Sequence, residues 1–135
     1  MSSAGYSGTP LPKKLGIKPG HLVMLLGAPD AFALDGLPDG VTLLRAARGQ
    51  ADVIVSFHVE RADFARRLPA LRAAMKPACG LWIAWPKKAS KVPTDITEDV
   101  VRDVALPTGL VDNKVAAIDA VWSGLRLVIR LENRR

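Results

Sequence analysis

Three nearly uninterrupted apolar runs, LVMLL at 22–26, DVIVSF at 52–57 and LWIAW at 81–85, limit what this chain can become. A strand with one wet face alternates apolar and polar side chains. A run without alternation needs cover on both faces, as in a parallel sheet flanked by helices. Each run falls far short of the roughly 20 apolar residues that cross a bilayer, so no membrane association is expected.

Helical and turn signals separate the runs. Thr9 and Pro10 read as the N-cap and first position of a short helix that stops at Gly16. Residues 18–20 and 37–40 are turns, and 41–44 forms a second strand between the first two runs. After 52–57 come Phe64, Leu68, Leu71 and Met75, a single helical stripe in which Pro69 predicts a kink or a split. Pro77 and Gly80 close it. Residues 86–93 form a lysine-bearing loop. Asp95 and Glu98 then read as a capping box ahead of Ile96, Val100, Val101 and Val104. Pro107 and Gly109 end that helix. Strands at 111–118 and 125–131 follow, joined as a hairpin, so the last must run antiparallel to the one before. The expected fold is an α/β three-layer sandwich with a mostly parallel six-stranded sheet and a C-terminal antiparallel strand. Its 135 residues suit one domain, at 9–135, behind a flexible N-terminus at 1–8.

Charge is uneven along the chain. Residues 1–60 carry five basic and five acidic side chains, and 61–135 carry fourteen and eight, which accounts for the formal net charge of +6. Such an excess raises affinity for polyanions. The basic residues are scattered and few aromatics lie among them, so an ordinary solvated surface explains them better. The one cysteine, Cys79, excludes an intramolecular disulfide. The first fourteen residues hold no apolar stretch of the signal-peptide kind, and a cytoplasmic location is expected.

KPGHLVMLLGAP at 18–29, KPACGLWIAW at 76–85 and GLVDNKVAAIDAVWSGLRLVIR at 109–130 resemble the first strand with its glycine loop, the fifth strand and the final hairpin of the class I methyltransferase core. The resemblance implies a Rossmann-like sheet. A second resemblance is to a family of small bacterial proteins, a domain of unknown function. It rests on YSGTPL at 6–11, KLGIKPG at 14–20, WPKKAS at 85–90, PTDITEDVVR at 93–102, GLVDNKV at 109–115 and WSGLR at 122–126. It implies membership and no activity.

Ligands of open α/β sheets bind beyond the carboxyl ends of the parallel strands. That rule selects Gly27 and Asp30 after the first strand and His58 after the third. It also selects Trp85, Lys87, Lys88, Lys91 and Thr94 after the fourth, and Trp122 in the closing turn. The lysines supply charge, Trp85 a stacking face and the following helix start free N–H groups, a combination suited to an anion. His21, Asp52, Cys79, Asn113 and Lys114 fall at the opposite end. Only Gly27 matches the glycine pattern of a dinucleotide site. Pro29 lacks an N–H, and the second strand runs into Arg45 rather than a ribose-binding carboxylate. Glu60 is the only nearby carboxylate noted for orienting His58, and neither a metal-ligand spacing nor a Ser-His-Asp arrangement stands out.

With the fold signals present and the cofactor motifs reduced, the expected function is a non-catalytic binding or regulatory module for a small anion or acidic partner, without a cofactor. The alternatives are an S-adenosylmethionine-dependent methyltransferase-like enzyme and a nucleic-acid-binding protein. Exposed lysines contribute little to stability. Replacing Lys87 and Lys88 together by Ala should therefore shift the melting temperature by less than about 3 °C. A larger loss in a thermal melt would make the loop structural.

Overall fold

The computed structural model describes residues 9–134. The expected flexible segment 1–8 lies outside them. The chain runs α1 (Leu11–Leu15), β1 (Leu22–Leu26), β2 (Thr42–Leu44), β3 (Ala51–Phe57), α2 (Arg61–Ala73), β4 (Met75–Pro86), α3 (Glu98–Ala105), β5 (Leu110–Ala117) and β6 (Trp122–Ile129). The six strands form one sheet in the order β2-β1-β3-β4-β6-β5. The β1–β2, β1–β3 and β3–β4 pairs are parallel, and β6 is antiparallel to both β4 and β5. Five strands therefore share one direction and only β6 opposes them. The fold is the mixed, Rossmann-like α/β sheet expected from the apolar runs.

The central strands divide their side chains between two cores. Ile54, Leu81, Ile83 and Trp85 point to one face, where Phe64, Leu68 and Leu71 of α2 and Val101 and Ala105 of α3 cover them. Val53, Val55, Phe57, Trp82 and Ala84 point to the other. That second face carries only the five-residue α1 and a non-helical segment whose Phe32, Leu34 and Leu37 lie over the strands. The indole N–H of Trp82 donates to the Leu15 carbonyl at 3.1 Å and ties α1 onto the sheet. Among the described residues no helix is long and apolar enough to cross a membrane.

Several local expectations shift. α2 continues through Pro69 without a break, because the proline ring is exposed and the buried stripe Phe64, Leu68 and Leu71 holds both halves against the sheet. The predicted end of that stripe, Met75, instead pairs with Ala51 at the start of β4, and an irregular stretch with exposed Lys76, Pro77 and Ala78 precedes the regular ladder at Gly80. α1 is capped by Pro10 rather than Thr9. α3 begins two residues later than the capping-box reading, with Thr97 as its N-cap, its hydroxyl accepting from Val100 N at 3.2 Å. Arg102 ties α3 to the hairpin through Asp112 at 2.9 Å and also pairs with Glu98. Trp122 belongs to β6 rather than to the turn, and Leu131 lies beyond it, 77% exposed.

At the amino ends, the Asp52 carboxylate accepts from Leu22 N at 2.8 Å and from Lys76 Nζ at 3.0 Å, joining β1, β3 and β4 where they start. Burial works to raise its pKa, but these donors outweigh burial and hold it below the usual value. Cys79, buried nearby, has its thiol pushed up to about 12 by desolvation.

Gly124 sits where β6 passes under Trp82. A Cβ there would lie 2.8 Å from Ile118 Cδ1 and 3.0 Å from Trp82 Cε3. The isoleucine end can swing aside, but the fully buried indole cannot. Gly124→Ala should cost about 1–3 kcal/mol of stability, the usual penalty of overpacking, measurable as a lower midpoint in urea. An unchanged midpoint would show that the indole moves.

Candidate functional site

Strand order reverses between β1, which leads outward to β2, and β3, which leads the other way to β4. The carboxyl ends of β1 and β3 therefore flank a switch-point crevice. A cleft of about 220 Å³ opens there, lined by Leu26 and Gly27 of the first strand end, Ser56, Phe57 and His58 of the other, and Asp63 and Arg67 of α2.

The chemistry of this cleft follows from strand alternation. Ser56 and His58 are two residues apart and so face the same side of the sheet, toward α2. Helix α2 starts three residues later and brings Asp63 within reach. His58 Nδ1 lies 2.7 Å from Asp63 Oδ2, and His58 Nε2 lies 2.7 Å from Ser56 Oγ. An ionised carboxylate can only accept, so Nδ1 carries the proton and donates to Asp63. Nε2 is then the bare nitrogen, and the Ser56 hydroxyl donates to it. Ser56 and His58 are 2% and 3% exposed, so the chain Ser56–His58–Asp63 is sealed at all but its outer end.

Burial pulls the His58 pKa below its usual 6.5, and the Asp63 partner only partly opposes this. The hydrogen bond from His58 holds the Asp63 carboxyl below its usual value, helped by Arg67. A neutral imidazole beside an ionised carboxylate is the resting state of a general base. Arg66 and Arg67 fasten Asp63 from the solvent side at 2.7 and 3.1 Å.

Of the residues selected from the sequence, the cleft unites Gly27 and His58. Ser56, at the same strand end as His58, joins them, and Asp63 and Arg67 of α2 do so unforeseen. Glu60, the noted neighbour of His58, only marks the N-cap of α2, while Asp63 does the orienting. A Ser-His-Asp chain is therefore present, although no catalytic motif announced it. The signal available was S-x-H at a strand end followed by an Asp one helical turn into the next element.

The other selected residues lie along the same rim. Trp85, Lys87, Lys88, Lys91 and Thr94 border a groove of about 550 Å³ with Glu98 and Ser123. The Trp85 side chain is 7% exposed and packs in the core. Lys91 adopts φ 62° at the end of a short 3-10 turn. The Thr94 hydroxyl donates to the Val59 carbonyl at 2.5 Å and accepts from Ile96 N at 3.1 Å. Asp95 is not a cap for α3 but accepts from Arg61 N at 2.6 Å, at the start of α2. Trp122 packs edge-to-face on Phe57, with ring centroids 5.0 Å apart, on the sheet face away from His58. Asp30 is exposed in the segment after Gly27. Among the described residues no group of three His, Cys, Asp or Glu could hold a metal ion.

Solved structures similar to this chain include methyltransferases. Magnesium protoporphyrin IX methyltransferase from Synechocystis, with bound S-adenosylmethionine, superposes with a TM-score of 0.58 at 13% identity, over 88% of this chain and 74% of that one. An S-adenosylmethionine-dependent methyltransferase from Aquifex aeolicus gives 0.57 at 16% identity, over 87% of each chain. A ribosomal protein L11 methylase from Lactobacillus delbrueckii gives 0.56 at 12%, over 88% of this chain and 74% of that one. The chain shares the class I methyltransferase fold. No protein-family model and no curated sequence matches it. These structures correct the expectation of a non-catalytic binding module: the neighbours that share this fold are methyltransferases, which favours the methyltransferase-like alternative over it.

Whether a sulfonium nucleoside suits the crevice is tested at Gly27. Its φ is +70°, and a Cβ there would lie 3.1 Å from the Phe57 carbonyl oxygen. Only glycine makes this turn, and its bare backbone faces the cleft. Such a group would meet a reduced set of contacts here, since Pro29 offers no N–H and exposed Arg45 follows β2 where a ribose carboxylate would stand.

The His58 shift fixes a pH dependence of stability. The folded pKa lies below the unfolded one, so the unfolded chain takes up the proton first as pH falls. The stabilisation is complete above about 6.5 and drains away as pH drops through the folded value. Asp63 adds a similar loss further down, below 3.8. Urea midpoints should therefore decline between about pH 7.5 and pH 5.5, and His58→Asn should flatten that decline. An equally steep decline in the variant would place the titration elsewhere.

Proposed function

We propose that this chain binds S-adenosylmethionine at the switch-point crevice and methylates a hydroxyl or amine acceptor whose proton passes to His58. The observation that carries the reading is the Ser56–His58–Asp63 chain at the carboxyl end of β3, beside the positive-φ turn at Gly27. Gly27 would border the donor, and the crevice lip between Leu26 and Phe57 would seat it. When bound, such a donor supplies an electrophilic methyl group on a sulfonium. The chain's own residues do the rest. Asp63 fixes the imidazole ring and its tautomer. His58 Nε2 accepts a proton, either from an acceptor that replaces the Ser56 hydroxyl or by relay through that hydroxyl, Ser56 passing on its own proton as it takes the acceptor's. The charge that develops on the imidazole is stabilised by Asp63. The lysine-edged groove of about 550 Å³ beside the relay is large enough for a small acceptor.

A 220 Å³ cleft is smaller than the roughly 300–1,000 Å³ typical of sites for drug-sized ligands. A donor of this kind would therefore extend over the exposed rim at 28–36, and modest affinity is expected. Calorimetric titration with S-adenosylhomocysteine should give a Kd between about 1 µM and 1 mM, the usual working range for substrates. Gly27→Val should abolish the heat while circular dichroism shows an intact fold. No heat from the unaltered protein at millimolar ligand would end this reading.

A further inference from the structure

On the opposite face, in the amino half of the sheet, Lys13 and Lys14 of α1, Asn113 and Lys114 of β5 and Arg126 of β6 line a recess of about 270 Å³. A second hollow of about 440 Å³ adjoins it and shares the three lysines. Among the described residues no carboxylate lines either one.

Arg126 forms the floor. It points from β6 across the Gly80 backbone, where a Cβ would lie 2.5 Å from its Nε and 2.8 Å from its Cζ. Glycine at position 80 leaves the space that the guanidinium occupies. Arg126 is half-buried, and among the described residues no hydrogen bond or ion pair engages its side chain. Arg134 adds further positive charge nearby, and burial pulls the Arg126 pKa down from its usual value. Lys114 stands directly opposite Arg126 in the β5–β6 register, a like-charge pair that weakens a sheet. The Lys114 ammonium is held by a neutral acceptor, the Lys14 carbonyl, at 3.4 Å. Such a cluster destabilises the free protein and becomes favourable once an anion enters.

We propose that this recess is a binding site for the phosphate of a small phosphorylated ligand, seated on Arg126 with Lys13 and Lys114 at its rim. A guanidinium presents paired N–H donors that match a phosphate's oxygens. The floor is recessed, which suits a terminal phosphate, and the adjoining hollow beside Thr9, Val115 and Ala116 takes the remainder of the molecule. The site lies away from the His58 crevice and does not rest on the methyl-transfer reading.

The test uses the full chain and inorganic phosphate, pyrophosphate, a nucleoside 5′-monophosphate and its unphosphorylated nucleoside, in calorimetry and thermal melts at fixed ionic strength. Phosphate and pyrophosphate should raise the melting temperature saturably. The monophosphate should compete with them, and the nucleoside should not. Arg126→Met should abolish the effect while being at least as stable as the parent without ligand. Lys114→Gln, at an exposed position, should weaken binding about tenfold. An equal response to chloride, or phosphate stabilisation that survives in Arg126→Met, overturns the site. Marked destabilisation of Arg126→Met without ligand would make the guanidinium structural and overturn it too. An unphosphorylated single-stranded oligonucleotide binding as tightly as the monophosphate, with steep salt dependence, would overturn it in favour of a nucleic-acid surface.

Discussion

Strands β3 and β4 are buried on both faces, and the other elements answer to that constraint. Neither strand can present a polar face to water, so each requires a layer above and a layer below. Helices α2 and α3 supply one layer. The other is assembled from a single short helix, tied to the sheet by the indole of Trp82, and a non-helical segment. Because β1 and β4 flank β3 in parallel, their carboxyl ends open on one rim. The crevice and the lysine-edged groove are consequences of that shared direction.

The same constraint explains how a buried imidazole comes to be held in one tautomer in so small a domain. Alternation along β3 sends Ser56 and His58 to the face that α2 must cover. Covering it places Asp63 against the imidazole. Burial favours the neutral ring, and the carboxylate fixes which nitrogen stays bare. No special loop is needed, because one strand end and the first turn of the next helix suffice.

The sheet and most of its direction were legible because unbroken apolar runs carry one physical meaning. Helix ends were less legible. Pro69 signals a break, yet burial of Phe64, Leu68 and Leu71 outweighs the lost hydrogen bond when the ring faces solvent. Asp95 has the form of a cap for the helix that follows it, but its acceptor serves the helix before it. The site was half legible. Gly27 and His58 follow from the rule that strand ends bear function. Asp63 and Arg67 are surface-patterned helix residues whose role exists only once α2 is laid against β3. Arg126 reads as the polar half of an alternating strand, and only the missing side chain at Gly80 shows where its charge goes.

Two bonds that look like ordinary loop stitching join the separate parts of the rim. Thr94 holds the Val59 carbonyl, and Asp95 holds the Arg61 amide. The stretch leaving β4 is thereby latched to the peptide between His58 and the helix that carries Asp63. Displacement of the lysine-bearing segment would pull on both anchors of the imidazole at once. The position of the lysine-bearing segment and the alignment of the imidazole are, mechanically, parts of one lever.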